Sequence, residues 1–222
     1  MNLLEYARNV VIVTVFGIRT TMSFMIITLM QNLIIPLATT IMITLAITTT
    51  GGTASIKALG IFLMGMILAS MIQSIPQYIS NYLMIPPVRD LLTSLTGDVR
   101  VFVVSVAFQN LITGILPQAV VVSILTQSLD LVVYALLAYL LVVYPAAALI
   151  GTMVRTPMTA SVVGLILYLI LSMITPVYLT TTLPIWRIVP LSILNPNFRD
   201  ILQIMYTIFL SLTLYYVLLR RI

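Results

Sequence analysis

Apolar runs of membrane-crossing length, broken by short polar or proline-bearing stretches, set the pattern of this sequence. A helix needs about 20 predominantly apolar residues to cross the hydrocarbon core. Runs of that kind lie at about 22–47, 59–80, 101–125, 131–151, 158–177 and 199–219. They predict an all-α integral membrane protein: six transmembrane helices forming a single membrane domain over residues 1–222.

The breaks are as informative as the runs. Residues 2–20 form a helix whose Glu5, Arg8 and Arg19 fall on one side at about 100° per residue, which reads as an N-terminal interfacial helix. Thr48–Ala58 is a small-residue loop around Gly51 and Gly52. The second span carries Gly65 and Ala69, a small-xxx-small pair that lets another helix approach closely. Asn81–Arg100 is the most polar stretch. There Pro86 and Pro87 supply a helix start, Gly97 a stop, and Leu91, Leu92 and Leu95 one apolar face, with Arg89, Asp90 and Ser94 elsewhere. A tight turn spans Thr126–Asp130. Thr156 and Pro157 read as the N-cap and first position of the fifth span, and Asn197 as a cap of the sixth.

The stretch Ile174–Asp200 does not fit a spanning helix. It is apolar but contains Pro176, Pro184, Pro190 and Pro196. Each proline lacks an amide donor and crowds the preceding turn, so no unbroken helix runs through Pro184 and Pro190. Broken apolar backbone between two spans predicts a re-entrant or interfacial hairpin, with Tyr178 and Trp186 at headgroup level.

Composition agrees. Of 222 residues 61% are hydrophobic and 7% charged, against about 25% charged in a soluble domain. The net charge of +5 comes from ten basic residues scattered between apolar blocks, which is a topology signal rather than a nucleic-acid patch. Placing the N-terminus inside puts Arg8, Arg19, Arg89, Arg100, Arg155, Arg220 and Arg221 in the cytoplasm, and only Lys57, Arg187 and Arg199 outside. The expectation is a multi-pass protein of the cell membrane with both termini cytoplasmic. No short apolar core with a cleavage site follows the N-terminal charges, so a removable signal peptide is not expected.

Cysteine and histidine are absent, which removes disulfides, thiol nucleophiles, His-based metal sites and imidazole catalysis. No phosphate-binding G-x-x-x-x-G-K-[ST] loop occurs, so ATP is not bound in the P-loop manner. The acids Glu5, Asp90, Asp98, Asp130 and Asp200 sit at span ends or in loops, where carboxylates act as caps or solvated groups. Ion-coupled carriers place ionisable residues near the midplane; here those positions hold amides, hydroxyls and methionines. Gln31, Asn32, Gln73, Gln109 and Asn110 can line a path for an amphipathic cargo or simply tie helices together.

The last third of the chain carries a more specific signature: G-T-M-V-R-T-P-M-T-A-S-V-V-G from Gly151, then I-T-P-V-Y-L-T-T-T-L-P-I-W-R-I-V-P-L-S-I-L-N-P-N-F-R-D. In order and spacing Pro176, Leu183, Pro184, Trp186, Asn195 and Pro196 resemble the membrane subunit of ABC transporters of the type-2 exporter family. That resemblance implies half of a transmembrane dimer, paired with a second copy or with a paralogous permease. It implies separate cytoplasmic ATP-binding subunits that hold ATP and Mg, with no cofactor and no ATPase chemistry in this chain. By the same resemblance, Glu5 and Arg8 of the N-terminal helix, and Pro87, Arg89, Asp90, Leu91 and Ser94 of a coupling helix between spans 2 and 3, dock those subunits. The proline-rich segment becomes an outer support at the exit of the path. The docking loop here has fewer charges than that family often shows. The alternative is a non-transporting membrane assembly or immunity factor on the same scaffold.

Overall fold

The computed structural model describes residues 2–22, 56–154, 156–180 and 191–222, with single positions 34, 37, 38, 41, 42, 45, 183, 185 and 189. Among them are seven helices: α1 (Leu3–Met22), α2 (Ile56–Leu83), α3 (Pro86–Thr96), α4 (Val99–Thr126), α5 (Asp130–Met153), α6 (Pro157–Thr180) and α7 (Ile201–Arg221). Four are long and apolar enough to cross a membrane: Ala58–Leu83, Val99–Thr126, Asp130–Met153 and Ile201–Arg221. These correspond to the second, third, fourth and sixth predicted spans. The fifth falls on α6, whose apolar stretch Pro157–Leu171 is shorter. The first, about 22–47, lies outside the described residues apart from isolated positions.

Helix α2 is the axis of the bundle. Met64, Ile67, Leu68, Met71, Ile75 and Ile79 are all fully buried, and α4, α5 and α6 pack around it. Helix α6 packs chiefly on α2, α7 on the second half of α5, and α1 on the first half of α4. The tightest approach of a glycine to a neighbouring backbone uses Gly164 of α6: a Cβ there would stand 2.8 Å from the Ile72 carbonyl oxygen, so no larger residue fits without parting the helices. The buried Gly65–Ala69 pair lies on α2 itself.

Both membrane-length hairpin helices, α4 and α5, widen midway into a single π-turn, at Leu111–Ile115 and Tyr139–Val143. Pro117 and Pro145 follow directly. A proline ring clashes with the carbonyl four residues back, and an i→i+5 turn relieves that clash. In this register the Leu140 carbonyl faces Pro145, which has no N–H to give. The Tyr215 hydroxyl of α7 donates to it instead, at 2.9 Å. Tyr139 and Tyr144, both buried, donate to the carbonyls of Ala107 and Val103 on α4.

Helix α7 is inside out by the standards of a soluble protein. Its buried side carries Gln203, Thr207 and Ser211, while Ile201, Leu202, Met205, Phe209 and Leu212 are exposed. A surface helix in water shows the reverse. Polar residues turned inward and apolar ones outward are what lipid as solvent demands. The chain is therefore an integral, multi-pass helical membrane protein.

Two expectations need correction. Asn197 does not cap the last span: α7 starts at Ile201, and the Asp200 carboxylate accepts from the Gln203 amide at 2.9 Å. Asn195 instead caps the short 3-10 turn Pro196–Phe198, accepting from the Asn197 amide. Pro176 does not end the fifth helix, because α6 continues to Thr180; a proline inside a membrane helix removes one backbone bond without ending it. Within the proline-rich segment Leu191, Ser192, Ile193, Leu194 and Asn195 are all buried, against α5, α6 and α7, while Pro196 and Asn197 are exposed.

Candidate functional site

The successive antiparallel helices give the bundle two ends. At one end α2 stops, α3 lies across, α4 begins and α7 finishes, so Arg89, Asp90, Asp98, Arg100, Arg220 and Arg221 gather there. At the other end are the start of α5, residues 191–200 and the start of α7.

Helix α3 is defined by its own sequence. Pro86 and Pro87 occupy its first turn, where missing amides cost nothing. It stops at Gly97, whose φ of 74° is a left-handed conformation that glycine adopts without a Cβ penalty, and whose N–H donates to the Thr93 carbonyl at 2.9 Å. Its outer surface is unusual: Leu91 and Leu95 are 57% and 72% exposed, beside exposed Arg89, Asp90 and Ser94. Only Leu92 of the three leucines predicted to share a face turns partly into the core. The helix thus presents two leucines and an opposite-charge pair outward. Between the end of α2 at Leu83 and Met84 and the α3 face bearing Arg89, Asp90, Thr93 and Ser94 runs an open groove of about 670 Å³.

The start of α1 is fastened to the same corner. Asn9 donates its side-chain amide to the Thr96 carbonyl at 3.2 Å, and Thr96 is itself buried with its hydroxyl 2.7 Å from the Leu92 carbonyl. Asp98 caps α4, accepting from the Arg100 amide at 2.8 Å. Burial raises the Tyr6 phenol pKa above its usual value, the Asp98 carboxylate adds to the rise, and Arg100 opposes it. Glu5 and Arg8, both exposed, stand within one turn of these contacts. The structure thus brings Glu5, Arg8, Pro87, Arg89, Asp90, Leu91 and Ser94 to one end of the bundle.

Of the polar residues named as a path, Gln73, Gln109 and Asn110 are among the described residues. Gln31 and Asn32 lie outside the described residues. Gln109 packs over Gly17 of α1, where a Cβ would collide with its Oε1, and it hydrogen-bonds Tyr78 of α2. It is an interhelical tie. Asn110 donates to the Val106 carbonyl of its own helix at 2.9 Å. The Gln73 backbone lies beneath Gly164. Gln73, Gln109 and Asn110 do not line the groove at α3.

At the opposite end, Asn195 is buried and Pro196 and Leu183 are exposed. Pro176 lies in α6, and Pro184 and Trp186 lie outside the described residues. The residue that fastens this segment was not singled out from the sequence. Arg199 ion-pairs with Asp130, donates to the Leu194 carbonyl at 3.3 Å, and lies 3.9 Å above the Tyr134 ring. Gln203 donates to the Ser192 hydroxyl at 2.7 Å. The pair between Asp130 and Arg199 crosses 69 residues of sequence, so no local pattern marks it. Among the described residues no cluster of His, Cys, Asp or Glu can hold a metal ion.

Compared with known proteins, the chain matches no family model, no curated protein and no solved structure.

Proposed function

We propose that this chain is the membrane-spanning permease subunit of an ATP-driven ABC exporter, with six spans and both termini in the cytoplasm. The observation that carries the reading is α3, a short capped helix between two spans that offers Leu91, Leu95, Arg89 and Asp90 to the outside. Exposed leucines beside a charged pair at the end of a bundle fit a protein partner better than either water or lipid. The same end collects Arg8, Arg89, Arg100, Arg220 and Arg221, which favours the cytoplasm. A P-loop ATPase binding ATP and Mg would dock on α3 and the start of α1, and a second permease, identical or paralogous, would complete the transmembrane dimer. The L-P-I-W to N-P segment supports the family assignment. The residues give no choice of cargo.

The test is to purify the chain from its native membrane with the cytoplasmic proteins encoded beside it. Recovery of a P-loop ATPase, and a several-fold loss of its stimulated hydrolysis in Arg89→Glu or Asp90→Arg with membrane insertion intact, is the expected result. Failure to recover any ATPase would sink the proposal. A complex that hydrolyses ATP but moves no cargo would point to the assembly-or-immunity alternative.

A further inference from the structure

One cavity lies at the depth of the spans. It has a volume of about 160 Å³ and no polar atom in its lining. Its walls include Ile72 of α2, Val142 and Ala146 of α5, Leu171 of α6, and Leu210 and Leu214 of α7. Each of these residues is near the middle of its helix, and Leu191 of the buried 191–195 segment completes the lining. At about 1.5 Å of rise per residue, a mid-helix position sits roughly 15 Å from either headgroup region. The only molecules present at that depth are hydrocarbon chains.

The crevice is open on its outer side. Helix α6 packs on α2, and α7 on α5, but among the described residues α6 and α7 make no extensive contact with each other. Ala146, Leu171, Leu210 and Leu214 are only half-buried and form the mouth between them. The floor is closed by fully buried Val143 and nearly buried Ile72. An apolar void of about 150 Å³ stays dry and takes up a benzene-sized molecule, so this one has room for about six carbons. Water is excluded by the lining, and a charged or hydrogen-bonding ligand would find no partner.

We propose that this crevice is a lipid site, holding the terminal segment of one acyl chain of a bilayer phospholipid between α6 and α7. Chain ends populate the bilayer midplane, so it is the ω end that enters, not the part near the ester. The inference rests on the membrane-embedded bundle alone and not on the permease reading.

The full chain is reconstituted in phosphatidylcholine nanodiscs containing a phospholipid with a diazirine near the ω end of one chain, then irradiated and mapped by mass spectrometry. Labelling of Ala146, Leu210 and Leu214 several-fold above the outward Ile208, Phe209 and Leu212 is expected. A lipid with its diazirine next to the ester should show no such enrichment. Ala146→Phe, which fills the mouth, should reduce labelling of Leu210 several-fold while leaving Phe209 unchanged; Leu214→Trp serves if that variant does not fold. Equal labelling of inward and outward residues, or labelling of Leu210 indifferent to either substitution, would overturn the assignment.

Discussion

Helices α2 and α7 are both long and apolar enough to span a bilayer, yet 67% of the α2 span is buried and only 22% of the α7 span. Helix α2 buries methionine, isoleucine and leucine on nearly every side. Helix α7 buries Gln203, Thr207 and Ser211 and turns most of its large apolar residues away from the protein. Near-equal apolarity therefore hides two different jobs. The central helix is held by close packing, the peripheral one by a few hydrogen bonds, because lipid competes on equal terms for its leucines but cannot satisfy its amides.

This contrast can be broken first at α2. Gly164→Val places atoms within 3 Å of the α2 backbone, and the helices must separate. A loss of about 3 kcal/mol or more is expected, read as a large drop in the thermal midpoint in detergent. Next comes the polar side of α7. Ser192→Ala strands the buried Gln203 amide that now donates to it, a cost of about 1–2 kcal/mol. The Tyr215 bond is smaller, about 0.6 kcal/mol for an average interhelical hydrogen bond in a membrane. Its origin is sharper to test: Tyr215→Phe should destabilise the native chain, but much less a Pro145→Ala background, where residue 145 can supply the missing amide. Equal effects in both backgrounds would separate the bond from the proline. The smallest effect belongs to the outer face, where Phe209→Ala should change stability by less than about 0.5 kcal/mol, since lipid replaces the lost contacts.

Much of the scaffold was legible because proline, glycine and charge punctuate apolar runs. The predicted spans at 101–125 and 131–151 fall within two residues of Val99–Thr126 and Asp130–Met153. Pro86, Pro87 and Gly97 bounded α3 as local rules require. What escaped the sequence is non-local. Asp200 rather than Asn197 caps α7, a choice made by where the buried 191–195 segment delivers the chain. The Arg199–Asp130–Tyr134 contacts join distant stretches. The π-turns depend on a proline together with a neighbouring helix that accepts the wider turn. For the α3 end, sequence marked the residues, but not that Leu91 and Leu95 would stand outward, since a leucine face is ordinarily read as buried.

The central claim is that α7 meets lipid with its apolar face and the protein with its polar one. The chain contains no cysteine, so single cysteines at Phe209, Leu212, Thr207 and Ser211 can carry spin labels without background. Collision accessibility in liposomes then reports each environment. High accessibility to oxygen and low accessibility to an aqueous nickel complex at 209 and 212, with low accessibility to both reagents at 207 and 211, is the predicted result. Ready access of the nickel complex to 209 and 212 would contradict it.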